Sequence, residues 1–174
     1  MGFTLIEALA VTAVIGIISS IMVVNWRKNE ERYKLQRAAQ EIVQNIRKAQ
    51  DYALTGKKMY WEPWGTMEVP RYYGLHLEEG EQTYFIYGDM QGNTGYQNPE
   101  DIEETYTQIE NGIEIDSLSD DPLDLIFSIP DGFVGFNDPS ADNAVIIIKR
   151  TGNTCPSTYC RTITIEKTGE ITIQ

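Results

Sequence analysis

The stretch Met1-Gly2-Phe3-Thr4-Leu5-Ile6-Glu7, followed by an apolar run ending at Val24, decides the architecture of this chain. From Phe3 to Val24 the sole formally charged side chain is Glu7. As a helix rising ~1.5 Å per residue, such a run matches the ~30 Å hydrocarbon core of a bilayer. Residues 3–25 are therefore expected to form a transmembrane helix. A carboxylate inside an apolar run is costly without a partner, and a plain anchor would do better with Leu. Glu7 is thus the first candidate functional residue. A secretory signal peptide would have a basic start, a shorter apolar stretch and a small-residue cleavage site. This run is longer, and Val24-Asn25-Trp26-Arg27 offers no such site.

Beyond Arg27 the pattern becomes amphipathic. Leu35, Ala38, Ala39, Ile42, Val43, Ile46, Ala49 and Ala53 recur at helical spacing, with Arg37, Gln40, Glu41, Gln44, Arg47 and Lys48 on the other face. No Pro interrupts residues 3–55, and Gly56 is a natural C-terminal stop. One helix of about 50 residues, on the order of 80 Å long, is predicted. Its segment 26–56 carries a stripe that needs a packing partner.

Residues 57–174 supply that partner. Strand character is found in Met59–Trp61, Tyr72–Leu77, Thr83–Tyr87, Gly112–Asp116, Asp124–Ile129, Ala144–Lys149, Arg161–Glu166 and Ile171–Ile173. Glu78-Glu79-Gly80-Glu81 reads as a turn, and Lys167-Thr168-Gly169-Glu170 as a hairpin connection. The predicted class is α+β: a long N-terminal helix packed against a C-terminal antiparallel β-sheet domain.

The string Gly2-Phe3-Thr4-Leu5-Ile6-Glu7, with Ala8-Leu9-Ala10-Val11 and Val14-Ile15-Gly16-Ile17-Ile18 behind it, resembles the N-terminal signature of type IV pilins and type II secretion pseudopilins. The resemblance implies that a prepilin peptidase/methyltransferase cuts between Gly2 and Phe3 and methylates the new amine of Phe3, leaving residues 1–2 as a residual leader. It implies that Glu7 acts in assembly and that the partners are other pilin or pseudopilin subunits, an inner-membrane assembly platform and, before assembly, the lipid bilayer. The chain would sit in the cytoplasmic membrane with its β domain outside, and then in a pilus or pseudopilus. The leader here lacks the basic residues usual in the family, and Val24 stands where many members have Pro, so an unbroken helix is expected. The β region is most similar to the GspH/FimT-type minor subunits, through Ala144–Lys149, Arg161–Glu166, Gly169–Ile173 and Ser128-Ile129-Pro130-Asp131-Gly132. The implied role is a structural subunit of an adhesion, DNA-uptake or secretion filament. The alternative is a membrane-anchored binding or adhesin domain that does not polymerise.

Composition limits the rest. The formal charge is −12, and residues 1–25 contribute only Glu7, so the remaining chain carries −11. Such a domain repels nucleic-acid phosphates, and no direct nucleic-acid binding is expected. Cys155 and Cys160 lie in Cys-Pro-Ser-Thr-Tyr-Cys. That set is too small for zinc and too widely spaced for a Cys-x-x-Cys redox pair. In an exported chain a local disulfide is expected; two buried free thiols are the alternative. No phosphate-binding loop, nucleophile elbow or His-Glu-x-x-His is present, so no enzymatic activity and no cofactor are expected. His76 reads as a packed strand residue. The acidic segments 100–104, 116–124 and 137–143 could offer oxygen ligands to calcium, but none has the EF-hand order. Tyr60, Trp61, Trp64, Tyr72 and Tyr73 could form a recognition surface, though strand packing is the commoner use of such residues.

Overall fold

A computed structural model describes residues 4–61, 65–92, 95–97, 102–103, 106–132 and 134–174, without the side chains at positions 21, 23–29, 102 and 103. A single helix, α1, runs unbroken from Leu5 to Thr55. Thr4 caps its start in an extended conformation, and Gly56 ends it in the left-handed region at φ 61°, which a residue without Cβ adopts at no steric cost.

The chain then forms short strands. β1 (Met59–Trp61) and β2 (Thr66–Glu68) make a small hairpin. β3 (Tyr72–Leu77), β4 (Thr83–Asp89), β5 (Ile102–Glu103), β6 (Thr107–Gln108), β7 (Ile113–Leu118), β8 (Leu123–Ser128), β9 (Val134–Phe136), β10 (Asn143–Arg150), β11 (Cys160–Glu166) and β12 (Ile171–Ile173) follow. They divide between two antiparallel sheets. One has the order β5-β4-β3-β8-β9, with β6 also on β4; the other has the order β12-β11-β10-β7. The chain thus leaves the second sheet after β7, visits the first through β8 and β9, and returns with β10.

The stripe predicted on the helix is the seam of the core. Leu35, Ala38, Ala39, Ile42, Ile46, Ala49 and Ala53 are all buried. They pack against β3 and β8 of one sheet and β7, β10 and β11 of the other, in one core cluster that includes Leu75, Leu125 and Phe127 from the first and Ile115, Ile146, Ile148 and Ile163 from the second. Four alanines in the stripe allow both sheets to approach the helix backbone closely. Polar ties fix its azimuth: Asn45 Nδ2 donates to the Tyr84 hydroxyl at 2.7 Å, Arg161 Nε donates to Gln36 Oε1 at 3.2 Å, and Arg150 pairs with Glu31 at 2.7 Å. Burial pushes the Tyr84 hydroxyl well above the usual tyrosine range, although its bond from Asn45 acts the other way.

In β3 every residue from Tyr73 to Leu77 is buried. The helix packs on this strand, the His76 ring meets Phe85 and Tyr96, and Gly74 lies against the Tyr87 ring. The membrane-spanning reading of residues 3–25 is not supported: among the described residues, no helix is long and apolar enough to cross a membrane. Residues 1–3 and the side chains at 21 and 23–29 lie outside that description.

Candidate functional site

The two halves of α1 live in different surroundings. Past Leu35 the helix is inlaid in the sheets. Before it, Leu5, Ile6, Leu9, Val11, Val14, Ile15, Ile17, Ile18 and Met22 are between 51% and 83% exposed. They point in all directions around the helix, so no single face could be satisfied by folding back on the β domain. Monomeric soluble proteins rarely leave contiguous apolar patches larger than a few hundred Å² in water. Thr12 and Ser20 return their hydroxyls to the carbonyls of Leu9 and Ile17, at 3.0 and 2.7 Å. Their polarity is thereby absorbed by the helix itself.

Glu7 sits in the first turn. Thr4 Oγ1 accepts from Glu7 N–H at 3.4 Å. Glu7 Oε2 in return accepts from Thr4 N–H at 3.4 Å and from Thr4 Oγ1 at 3.2 Å. This is a capping box, and the carboxylate also faces the positive end of the helix dipole. The Thr-x-x-Glu spacing could have been read from the sequence as a cap. The acid therefore has a local role that holds in the isolated subunit, besides any role in assembly. These bonds are long and exposed, so they leave Glu7 able to exchange partners.

The other predicted site residues lie elsewhere. Gly2 and Phe3 are outside the described residues. Cys155 and Cys160 form a disulfide, with S–S 2.02 Å and Cα–Cα 5.9 Å, in the β10–β11 connection. That connection lies beside the middle of α1, where Arg150 pairs with Glu31 and stands 5.9 Å from the Tyr159 ring. Along the helix, Glu31 is roughly 36 Å from Glu7, so the disulfide and the acid belong to separate regions. The aromatic residues do not converge on one surface. Tyr73 is buried, with its hydroxyl donating to the Lys57 carbonyl and pushed up to about 12 by burial. Tyr60 is exposed on β1 opposite Met67, and Trp64 is outside the described residues. Of the acidic segments, 100–104 is largely outside the description, and Asp116 is paired with Lys149. Among the described residues, no three His, Cys, Asp or Glu side chains converge as metal ligands.

A buried polar cluster escaped sequence reasoning. His76 and Asp124 face each other across β3 and β8, and both are buried. His76 Nδ1 lies 2.7 Å from Asp124 Oδ1, and Nε2 lies 3.1 Å from Glu78 Oε1. Asp124 also accepts from Tyr96 N–H at 3.1 Å and Asn137 Nδ2 at 3.3 Å. Burial pulls the imidazole pKa down, but the bonds and charges of Asp124 and Glu78 outweigh it, and the net shift is upward. His76 thus ties β3 to β8 and to the Tyr96 loop. Only the strand register could have disclosed this pairing.

Comparison with known proteins adds one likeness. No protein-family model matches the sequence, and no curated protein matches it. The structure is similar to that of the minor pseudopilin EpsH from the type 2 secretion system of Vibrio cholerae, at 12% sequence identity and a TM-score of 0.47, with 81% of this chain and 96% of that chain covered.

Proposed function

We propose that this chain is a structural subunit of a type IV filament system, a minor pilin or pseudopilin, that assembles through the first half of α1. One observation carries the reading. A helix anchored along its second half in the core projects a first half that is apolar on every side and exposed. That half has no partner within the β domain, whereas a bundle of identical helices would cover all its faces. Before assembly the bilayer shelters it; the sequence remains apolar to Val24. Cleavage by a prepilin peptidase between Gly2 and Phe3 frees the amine of Phe3, one residue before the Thr4 that caps the helix. In the bundle Glu7 exchanges its exposed cap for an amine, its own or a neighbour's. An unpaired acid there is expensive, so the pairing sets axial register. The β domain stays outside the bundle as the filament's surface.

The test is intact-mass and cross-linking analysis of the chain expressed with a filament system and its peptidase. A mature chain starting at methylated Phe3 and recovered in multimers supports the reading. A processed or unprocessed chain that stays monomeric in the membrane would favour the tethered adhesin instead.

A further inference from the structure

The charge of this molecule is segregated. Residues 26–58 hold nine Lys and Arg against four Asp and Glu, a formal +5. Residues 59–174 hold five against twenty-one, a formal −16, and Glu7 supplies the remaining −1. The positive segment is the second half of α1, whose buried stripe faces the sheets. Its opposite face therefore lies open to solvent. Tyr33, Arg37, Gln40, Gln44, Arg47 and Lys48 follow one another along it, all exposed. Arg37 meets Glu110 at 3.6 Å yet remains 69% exposed, and Arg47 donates to the Gln50 side chain at 3.0 Å. Between Arg37 and Lys48 the one acid is the half-buried Glu41.

The negative charge has its own focus. The β3–β4 turn and the β7–β8 turn meet at one end of the sheets: Glu79 N–H donates to Asp121 at 3.0 Å, Leu118 N–H donates to Glu79 at 2.8 Å, and Gly80 N–H donates to the Ile115 carbonyl at 3.1 Å. These contacts hold Glu79, Glu81, Asp120 and Asp121 together at an exposed pole. Asp138, from the β9–β10 loop, shares a cleft with Asp120. Lys167, whose ammonium donates to the Pro139 carbonyl at 2.9 Å, is the cation beside Asp138.

We propose that the basic solvent face of α1 receives the acidic pole of a second copy of this chain. The two patches are different surfaces of one molecule, so the contact is heterologous, and repetition generates an open helical array rather than a closed dimer. Charge complementarity identifies the occupant: the surface opposite in sign to the helix is the chain's own β domain. Like-charged β domains would otherwise repel along a filament, and the helix face supplies the compensating charge. The inference rests on the filament reading and adds to it the surface that orients neighbouring β domains. Contacts between exposed charges are screened beyond a Debye length of ~8 Å at physiological salt, so the array should loosen as salt rises.

The experiment uses the full chain carrying Ile17→Cys, a position 62% exposed on the apolar half, with subunit contact read as the yield of the disulfide-linked dimer, the one product a single free cysteine per chain can give. Two reversals are introduced, R37E/R47E on the helix and D120K/D121K at the pole, each alone and then together. Each alone should lower the dimer yield about tenfold, and the combination should restore most of it; a tenfold change corresponds to ~1.4 kcal/mol. R37Q/R47Q, which perturbs the helix less, should give an intermediate loss. Thermal unfolding of each variant identifies failure to fold. A dimer yield unchanged by either reversal, or unrestored by their combination, overturns the docking surface and leaves the filament reading standing. Absence of any dimer in the parent chain overturns both.

Discussion

Separating the two roles of Glu7 requires a pair of substitutions, Glu7→Gln and Thr4→Ala. In the isolated subunit Glu7 closes a capping box with Thr4 through bonds of 3.2 to 3.4 Å. A Gln at the same position can still reach back to the cap N–H, so Glu7→Gln should change helix stability by a few tenths of a kcal/mol. Thr4→Ala removes the side-chain acceptor, which costs about 0.5–1 kcal/mol and frays the first turn. If capping were the whole function, Thr4→Ala would be the worse of the two. The filament account predicts the reverse. In a bundle the carboxylate is matched to an amine, and losing the charge leaves that cation unmatched in apolar surroundings, where an isolated charge costs about 2.5–3.5 kcal/mol. That cost corresponds to a loss of assembly of roughly a hundredfold, against a few-fold at most for Thr4→Ala. Circular dichroism of each full-length variant in detergent checks the helix, and sedimentation of assembled material from the cell envelope checks incorporation. Normal incorporation of Glu7→Gln together with loss in Thr4→Ala would show that the acid is only a cap.

Three further outcomes follow from the β domain. The upward pKa of His76 means that the folded chain holds its proton more tightly than the unfolded chain does. Its contribution is therefore fully present below the unfolded value of 6.5 and is lost as pH rises through the raised folded value. Urea unfolding from acidic to alkaline pH should show this decline, and His76→Gln should flatten it; an unchanged slope in the variant would assign the decline to other groups. Gly74→Ala should destabilise by about 1–3 kcal/mol, because a Cβ there would lie 2.2 Å from the ring of buried Tyr87; an unshifted denaturation midpoint would mean that the ring moves freely. Cys155→Ser/Cys160→Ser opens a ring with a sequence separation of 5 and should cost about 2 kcal/mol, seen as a modestly lower Tm with faster proteolysis near 153–159. Global unfolding of that variant would contradict the view that the Ile-rich faces of β10 and β11 hold this region.

What could be read from the sequence was whatever periodicity alone determines. The helix stripe from Leu35 to Ala53 and the stop at Gly56 follow from spacing and from the absence of Pro. β3 appears at Tyr72–Leu77 as expected, and the longer strands agree to within a residue or two at most ends. β2, β5, β6 and β9 are two or three residues long, too short to show alternation, and they exist because a longer partner offers its edge. The division into two sheets was equally hidden, since β7 and β8 are neighbours in sequence yet pair with β10 and β3. At the site, the apolar run and its acid stand out from composition, whereas the capping box is a local hydrogen-bond geometry that the Thr-x-x-Glu spacing permits without requiring. The His76–Asp124 pair depends on a cross-strand register that only long-range pairing sets. The dense burial of β3 depends on a helix some twenty residues before it in the chain.

The central claim is that the exposed apolar half of α1 is covered by the same half of neighbouring subunits. The most direct measurement is a cysteine scan of Val11, Val14, Ile15, Ile17 and Ile18 in the full chain, oxidised within the cell envelope. Cys155 and Cys160, already paired with each other, do not compete. The account predicts disulfide-linked dimers from positions on every side of the helix, because a bundle surrounds it, and predicts that Glu7→Gln weakens them all together. Monomers at every position, in cells that carry the assembly machinery, would contradict it.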